Sequence, residues 1–387
     1  MTVYLDHAAT TPVRDEARRA WLAATEVVGN ASSVHGGGQA ARRLLEESRE
    51  RLAATLGCES VEVVFTSGGT ESINLALKGL WEARAGGDAV VLPDGEHHAT
   101  LDAATWLREQ AGATLMHVGL DARGAIPVAR FAASLPGAAL ATAMVANNEL
   151  GTVNDAAALA DAAGRGGVPL HLDAVAAFGH VPVDFGMLRG RAPAGAGLVA
   201  MSVSAHKIGG PVGVGALVVA RSATLAAQLH GGGQQRGLRA GTQDVAGAAA
   251  FAAAAEAATA ERDAEAVRLT ALRRRLVGGV LGTIPRTRLL GDPERRVPGN
   301  AHVLFDGASG ETLLFLLDRA GVHVSTGSAC QAGVAEPSHV VMALGLDEQA
   351  ARSVLRFTLG RTTTDADVDA VLTVLPDAVA RARAAAR

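Results

Sequence analysis

Aromatic side chains, cysteine and lysine are all scarce in this sequence of 387 residues. Only 3% of the residues are aromatic, so we do not expect a binding surface built from stacked rings. The two cysteines, Cys58 and Cys330, form no CxxC pair and no disulfide framework. This cysteine usage is typical of a reducing compartment, and we therefore expect a cytoplasmic protein.

Long apolar runs are also missing. The most apolar run, at 245–255, has 11 residues, whereas a membrane-spanning helix needs about 20. The first residues do not combine a basic region with an apolar run, as a signal peptide would. We therefore expect no membrane partner.

The charges are nearly balanced, with 35 Lys and Arg against 39 Asp and Glu and a net charge of −4. A direct nucleic-acid partner is not expected, because such proteins usually carry a basic excess. Hydrophobic residues make up 49% of the chain. This content and the length predict a folded protein with a large domain and a smaller companion.

Lysine is as rare as cysteine, because only Lys78 and Lys207 are found among the 35 basic residues. A lysine amine can bind a carbonyl group covalently, and an arginine cannot readily do so. Lys78 lies four residues before Glu82 in a helical pattern, which favours a surface ion pair. Lys207 follows Ser204 in a loop of small residues, and we favour it as the covalent residue.

Short β-branched runs alternate with helical stretches along the first two thirds of the chain. This alternation predicts a largely parallel, doubly wound α/β sheet. A long helix at 245–280 then leads to a smaller α+β unit with strands at 301–305 and 322–325 and a final helix at 364–386. The predicted strands of the large sheet are 61–65, 89–92, 115–118, 140–145, 169–173, 197–202 and 216–219, and the intervening helices are 71–81, 99–111 and 155–164.

Two motifs follow predicted strands, where α/β proteins place their sites. The turn at 66–71, with glycines before a helix, can hold a phosphate on free backbone N–H groups. The alternative is an ordinary helix start with Thr70 as N-cap. Asp173 ends an apolar strand, and its carboxylate can keep a pyridine nitrogen protonated. The alternative for Asp173 is a helix-capping role.

Cys330 lies in a segment of small polar residues at 325–333, which indicates a mobile, exposed loop and a reactive thiol. Cys58 has no comparable surroundings, and we assign it no function. The adjacent pair His97 and His98 cannot ligate a metal from one helix face, so no metal site is expected. No dinucleotide-binding or Walker loop is present.

Together these residues resemble the pyridoxal 5′-phosphate-dependent cysteine desulfurases of the NifS/IscS type, within the class V aminotransferase-like enzymes. The resemblance extends along nearly the whole chain. Its matching segments are 4–12, 30–35, 66–71, 96–99, 147–151, 171–173, 204–210, 231–234, 239–242, 325–330, 337–340 and 356–361.

The resemblance implies pyridoxal-phosphate fold type I, with a mostly parallel seven-stranded sheet in the large domain. The large, cofactor-binding domain would be 13–256. The small domain would combine 1–12 with 257–387 and carry the loop with the catalytic cysteine. A homodimer is implied, because the segment at 239–242 resembles one that completes the neighbouring site.

The resemblance also implies a role for each matching residue. Lys207 would bind the cofactor covalently, Asp173 would pair with its pyridine nitrogen, and His97 would stack on its ring and take part in catalysis. The catalytic residues would be Lys207, His97 and Cys330. The remaining cofactor contacts would be Gly69, Thr70, Asn148, Ser204, His206 and, toward the partner subunit's cofactor, Thr242, and the substrate contacts would be Asn30, Asn148 and Arg356.

The implied reaction converts L-cysteine to L-alanine and leaves a persulfide on Cys330. The sulfur would pass to an acceptor such as an iron–sulfur scaffold protein or a tRNA thiolation enzyme. Cys330 could also be a transient iron–sulfur ligand, although the isolated enzyme would hold no metal. The sequence departs from the family pattern at Ala176, where glutamine is usual, at His7, where asparagine is common, and at Ala240, where serine is common.

Two other functions stay open at this point. One is a related pyridoxal-phosphate lyase or aminotransferase, such as a selenocysteine lyase-like enzyme or a pathway-specific sulfur donor. The other is a degenerate member that acts as a scaffold. The loop thiol of Cys330 argues against a transaminase, and the retention of Lys207, Asp173 and His97 argues against the scaffold.

Overall fold

The computed structural model describes residues 2–327 and 336–385. The strands are β1 (Val3–Tyr4), β2 (Val63–Thr66), β3 (Ala89–Pro93), β4 (Thr114–Val118), β5 (Ala138–Met144), β6 (Pro169–Asp173), β7 (Gly197–Ser204), β8 (Gly215–Val219), β9 (Thr287–Leu290), β10 (Asn300–Phe305), β11 (Val322–His323) and β12 (Val354–Thr358). The helices are α1 (Asp15–Thr25), α2 (Gly36–Leu56), α3 (Gly69–Glu82), α4 (His98–Ala111), α5 (Val128–Ser134), α6 (Ala156–Arg165), α7 (Phe185–Arg189), α8 (Val245–Thr283), α9 (Gly310–Arg319), α10 (His339–Ala343), α11 (Glu348–Ala351) and α12 (Asp365–Ala385).

The large sheet has seven strands in the order β2-β8-β7-β6-β5-β3-β4. All neighbouring pairs are parallel except those of β8, which runs antiparallel to β2 and β7. The predicted mostly parallel seven-stranded α/β sheet is therefore confirmed. Because the carboxyl ends of parallel strands meet at one edge, the residues that end β6 and β7 lie side by side.

Two local features differ from the sequence prediction. The strand expected from residue 61 begins at Val63, because Ser60–Glu62 forms a 3-10 turn. In this turn the side chain of Glu62 accepts a hydrogen bond from the backbone of Glu59 (3.0 Å). Helix α2 begins at a glycine patch that carried no helical signal, and the His35 side chain caps it by accepting from the Gly38 amide (3.3 Å). Capping by neighbouring side chains thus fixes both boundaries.

A second, antiparallel sheet has the order β12-β10-β9, and β1 pairs with β11 beside it. Its apolar core includes Leu5 and Phe357, with Leu276 from α8. The first half of α8 instead packs its alanines into the core of the large sheet. The 39-residue helix α8 therefore links the two cores without a break. The division at residue 256 falls inside this helix and stays a prediction.

Lys78 differs from its predicted role. Its Nζ atom lies 4.2 Å from the centroid of the Trp106 ring, a cation–π contact with α4 rather than the expected pair with Glu82. In the described parts of the chain, no helix is both long enough and apolar enough to cross a membrane.

Candidate active site

A cavity of about 500 Å³ lies between the carboxyl edge of the large sheet and the small antiparallel sheet. The structure brings together most of the residues that the sequence had proposed for the site. The cavity is lined by Gly69, Thr70, His97, Asn148, Asp173, Ser204, His206, Lys207 and Arg356, together with Ala176, where the sequence departs from the family pattern, and with residues that had no predicted role, such as Asp6, Glu149 and His339. The roles assigned to these residues stay predictions, but their convergence is a property of the fold.

One side of the cavity, here called the sheet wall, consists of Asp173, Ser204 and Lys207. Asp173 is the last residue of β6 and Ser204 the last of β7, and the two strands are neighbours. Lys207 follows at once in a 3-10 turn, Ala205–Lys207. Its amine donates to the carbonyl oxygens of Ala8 (2.5 Å) and Ala9 (2.9 Å). Lysine and carboxylate therefore face the same cavity.

The pKa of Lys207 is lowered to about 8, mainly by burial and also by the nearby Arg356, while Asp6 and Asp173 oppose the shift. A larger fraction of the amine is thus unprotonated near neutral pH than for an exposed lysine. An unprotonated amine can attack a carbonyl group or accept a proton.

Asp173 does not cap a helix. Its Oδ1 atom accepts a hydrogen bond from the amide of Val175 (2.8 Å), which closes a local turn. Burial raises its pKa to about 6, while the bond from Val175 and the charge of Lys207 lower it. A cationic N–H group at the cavity end of this carboxylate would stabilise the charged form, as a protonated pyridine nitrogen does.

The first turn of α3 lies beside Ser204 and fits a phosphate group. The helix begins at Gly69 with Gly68 as N-cap, so Thr70 is inside the first turn and is not the N-cap. Gly68 has a φ of 151°, which favours glycine, and a Cβ built on it would lie 3.9 Å from Ser204 Oγ. That hydroxyl is buried and has no hydrogen-bond partner among the described residues. Free amides at a helix start and an unpartnered hydroxyl are suitable donors to a phosphate dianion.

His97 lies over the cavity as the N-cap of α4. Its Nδ1 atom accepts from the Ala99 amide (3.0 Å), so the other ring nitrogen, Nε2, carries the proton of the neutral ring. The pKa of His97 is lowered to about 4, mainly by burial and also by Lys207 and His98. The ring is therefore neutral at physiological pH, which suits stacking on an aromatic cofactor.

The opposite side, here called the arginine wall, consists of Asp6, Asn148 and Arg356. Arg356, on β12, is buried and donates from Nη2 to Asp6 Oδ1 (3.0 Å) and from Nη1 to the Asn148 carbonyl (2.9 Å). Its Nε atom has no partner among the residues described. These contacts fix the guanidinium plane and leave donor capacity, as binding of a carboxylate requires.

Three of the proposed site residues are not placed in this cavity. Thr242 is exposed in the segment before α8, where the nearby Arg239 forms an ion pair with Glu71 of α3 (2.9 Å). Asn30 is exposed and accepts from the Ser32 amide (2.9 Å). Cys330 lies outside the described residues. The roles of all three stay predictions.

Sequence reasoning assigned no role to a group of buried residues beside the arginine wall. Glu149 accepts a hydrogen bond from the Ser338 hydroxyl (2.5 Å), and burial raises its pKa. Gly327 has a φ of 94°, and a Cβ on it would approach Glu149 and His302 to within 3.2 Å. Glu149 lies in a segment that carries the family resemblance, so a signal was present, whereas nothing in the sequence pointed to His302.

Glu96 is a second residue without a predicted role. Its Oε1 atom accepts a hydrogen bond from the Met144 amide (2.9 Å). The pKa of Glu96 is raised to about 8, mainly by burial and also by the charge of Asp173. The His339 ring nitrogen Nε2 donates to the Glu96 carbonyl (2.9 Å). Glu96 thus joins the end of β5 to α10.

Comparison with known proteins gives consistent matches. The model of the class-V aminotransferase family matches residues 3–371. An IscS-like cysteine desulfurase of Mycobacterium tuberculosis is 48% identical over 391 residues, covering 99% of this chain and 98% of that protein. A solved NifS-like protein superposes with a TM-score of 0.89 at 30% identity, covering 98% of this chain and all of that one. SspA, solved in complex with cysteine, superposes with a TM-score of 0.78 at 28% identity over 92% of this chain and 99% of its own.

Proposed function

This chain belongs to the class-V aminotransferase family, and we propose that it is a pyridoxal 5′-phosphate-dependent cysteine desulfurase. The observation that carries the proposal is the single cavity shared by Lys207, Asp173, Ser204 and Arg356. Identity to cysteine desulfurases over almost the full chain supports the reaction, and the cysteine complex of SspA supports the substrate.

The residues present fit the cofactor. When bound, pyridoxal phosphate acts as an electron sink for the bond being broken at the substrate. The first turn of α3 and the Ser204 hydroxyl bind its phosphate, and Asp173 holds the proton of its pyridine nitrogen. His97 would stack on the ring, and Asn148 and His206, which also line the cavity, would contact the cofactor.

Arg356 binds the carboxylate of L-cysteine and orients its Cα toward Lys207. The Lys207 amine removes the Cα proton, and its lowered pKa makes this transfer possible near neutral pH. Cys330 takes up the sulfur. The C–S bond of cysteine breaks and an S–S bond forms, while the product carbon gains a proton. L-Cysteine and a thiol thus become L-alanine and a persulfide without an external oxidant.

The persulfide on Cys330 then donates its outer sulfur to an acceptor protein for iron–sulfur cluster assembly or for tRNA or cofactor thiolation. We further propose a cytoplasmic homodimer, divided into the domains 13–256 and 1–12 with 257–387. In this dimer Thr242 reaches the cofactor phosphate of the partner subunit. Asn30 is proposed to contact the substrate.

The test is to incubate the protein with L-cysteine and pyridoxal phosphate and to measure alanine, sulfide and protein persulfide by mass spectrometry. We expect alanine and a persulfide on Cys330, and we expect Cys330→Ser to lose both. Cys58→Ser is the matched control. Cys58 is partly buried beside the Ala53 carbonyl, and burial raises the pKa of its thiol to about 12.

The control variant should retain full activity. Alanine formation that persists in Cys330→Ser would instead favour a related lyase. If no cofactor absorbance appears near ~420 nm after pyridoxal phosphate is added, the protein is not an enzyme of this kind.

A further inference from the structure

A second, smaller cavity lies against the active site. It has a volume of about 50 Å³, and we call it the rear cavity; its polar lining includes His7, Asn148, Lys207 and Asn300. Asn148, Ala176 and Lys207 line both cavities. A side chain longer than alanine at position 176 would therefore extend into one of them.

Three residues of the rear cavity carry buried polar atoms that lack a hydrogen-bond partner among the described residues. These atoms are His7 Nε2, Asn148 Oδ1 and Asn300 Oδ1. Buried polar atoms are nearly always paired, and an unpaired one is costly. Because all three residues line the rear cavity, one occupant of this cavity could pair with all three atoms.

Two of the three side chains, those of Asn300 and His7, are held in place by other contacts. Asn300 donates from Nδ2 to the Glu149 carbonyl (3.1 Å), which leaves Oδ1 as an acceptor. Its amide also packs closely on Gly151, where φ is +77°. The ring of His7 bonds through Nδ1 to Thr11 Oγ1 (2.7 Å) and packs on Gly360.

Water is the ligand whose chemistry fits. The cavity of about 50 Å³ exceeds the roughly 10–15 Å³ that one water needs, and buried water usually makes two to four hydrogen bonds. A water molecule can donate to both amide oxygens and accept from His7 Nε2 in its protonated tautomer. An apolar occupant would leave all three atoms unpaired.

We propose that the rear cavity binds ordered water, which joins His7, Asn148 and Asn300 and holds the Asn148 side chain at the edge of the active site. The three residues lie on separate segments: the chain after β1, the turn after β5, and the first position of β10. The water thus connects the large sheet to the small sheet behind Lys207. His7 and Asn300 are positioning residues for Asn148.

Position 176 controls this water. Alanine leaves room for it, and both His7 and Ala176 are positions at which the sequence departs from the family pattern. The two departures share one cavity, so they are expected to be coupled in energy although they lie far apart in sequence.

The first test is a high-resolution crystal structure of the wild-type holoenzyme. We expect ordered water within about 3.2 Å of at least two of the three polar atoms. A rear cavity without such water would overturn the proposal. This measurement needs no variant and does not depend on cysteine desulfurase activity, so it can fail while the proposed function stands.

The second test compares Ala176→Met with Ala176→Gln, which add side chains of similar volume. We expect the methionine variant to weaken cofactor binding about tenfold, because it displaces water and pairs with no orphaned atom. The glutamine variant should stay within about threefold of wild type, because its amide replaces the lost hydrogen bonds. Equal effects of the two variants on the cofactor dissociation constant and absorption maximum would contradict the proposal.

The third test is a double-mutant cycle with His7→Phe, which removes Nε2 but keeps a ring. The effect of Ala176→Met on cofactor binding should shrink at least about twofold in the His7→Phe background, because one orphaned atom is already gone. If the double variant changes the cofactor dissociation constant by the product of the two single-variant changes, His7 and Ala176 do not act through a shared water.

Discussion

The two walls of the active-site cavity are built in different ways. The sheet wall comes from adjacent strand ends and the turn that follows them, within residues 173–207. The arginine wall joins residues 6, 148 and 356, and its two hydrogen bonds span 350 and 208 positions in the chain. The proposed proton transfer would therefore depend on neighbouring strand ends of one sheet, while the proposed substrate binding would depend on how the small sheet packs against it.

The two walls also differ in the ionisation of their charged groups. On the sheet wall, burial moves the pKa of Lys207 down to about 8 and that of Asp173 up to about 6, so both groups are shifted toward neutrality. On the arginine wall, Arg356 keeps a carboxylate partner, Asp6, at 3.0 Å. A reactive amine must be able to lose its proton, whereas a carboxylate-binding group must keep its charge.

The largest expected effect is at the reactive amine. Lys207→Ala and Lys207→Arg should both reduce alanine formation by at least ~10³-fold, because arginine keeps the charge but cannot bind the cofactor covalently or move the proton. Lys78→Arg, at the only other lysine, should leave the rate unchanged. Substantial turnover by Lys207→Arg would show that the sheet wall acts only through its charge.

On the sheet wall, Asp173→Asn is expected to lower activity and to raise the stability of the cofactor-free protein. We expect a loss of ~10²-fold in kcat, because the amide cannot keep a pyridine nitrogen protonated. In the cofactor-free protein the buried carboxyl has a pKa of about 6, against ~3.9 when unfolded. Folding therefore becomes less favourable as pH rises between these values, and the neutral asparagine avoids that loss.

The cofactor-free Asp173→Asn variant should consequently be more stable than wild type above pH 6, by on the order of 2 kcal/mol, with little difference below pH ~4. Chemical denaturation at both pH values measures this. If the variant is less stable than wild type at pH 8, the charged Asp173 carboxylate is stabilised by neighbouring protein groups even without the cofactor.

Arg356→Lys tests the arginine wall. Lysine keeps the positive charge but loses the planar fork, so we expect the KM for L-cysteine to rise ~10- to 100-fold with a smaller change in kcat. Arg319→Lys, on the exposed end of α9, is the control. If kcat falls and KM does not, Arg356 acts on the reaction and not on carboxylate binding.

The smallest expected effect is at Ser204. Removing its hydroxyl in Ser204→Ala should weaken pyridoxal phosphate binding ~10-fold, since one charge-assisted hydrogen bond is lost. Ser202→Ala, on the same strand, removes a hydroxyl that pairs with His171 (2.8 Å) inside the protein. Ser202→Ala should lower the thermal midpoint and leave the cofactor dissociation constant unchanged. If Ser202→Ala weakens cofactor binding and Ser204→Ala does not, the phosphate contact assigned to Ser204 is wrong.

Much of the fold and of the sheet wall could be predicted from local patterns. Strand β6 was expected at 169–173 and runs over Pro169–Asp173. An apolar run that ends in a carboxylate is a short-range signal, and the parallel sheet then brings such strand ends together. The helices that were not predicted are α1, α2, α5, α7, α9, α10 and α11. Among these, α7, α10 and α11 have only four or five residues, which carry too little periodicity to stand out.

The sequence by itself determined the alternating α/β order and the glycine-containing turn before α3, and it predicted Lys207 as the covalent residue over Lys78, because each of these signals lies in adjacent residues. Only the tertiary structure decided that Asp6 pairs with Arg356, that Glu149 is buried against Ser338, and that His7 and Ala176 share one cavity. These contacts join segments that are far apart in the chain. Their existence follows from how the two sheets pack, which no local pattern records.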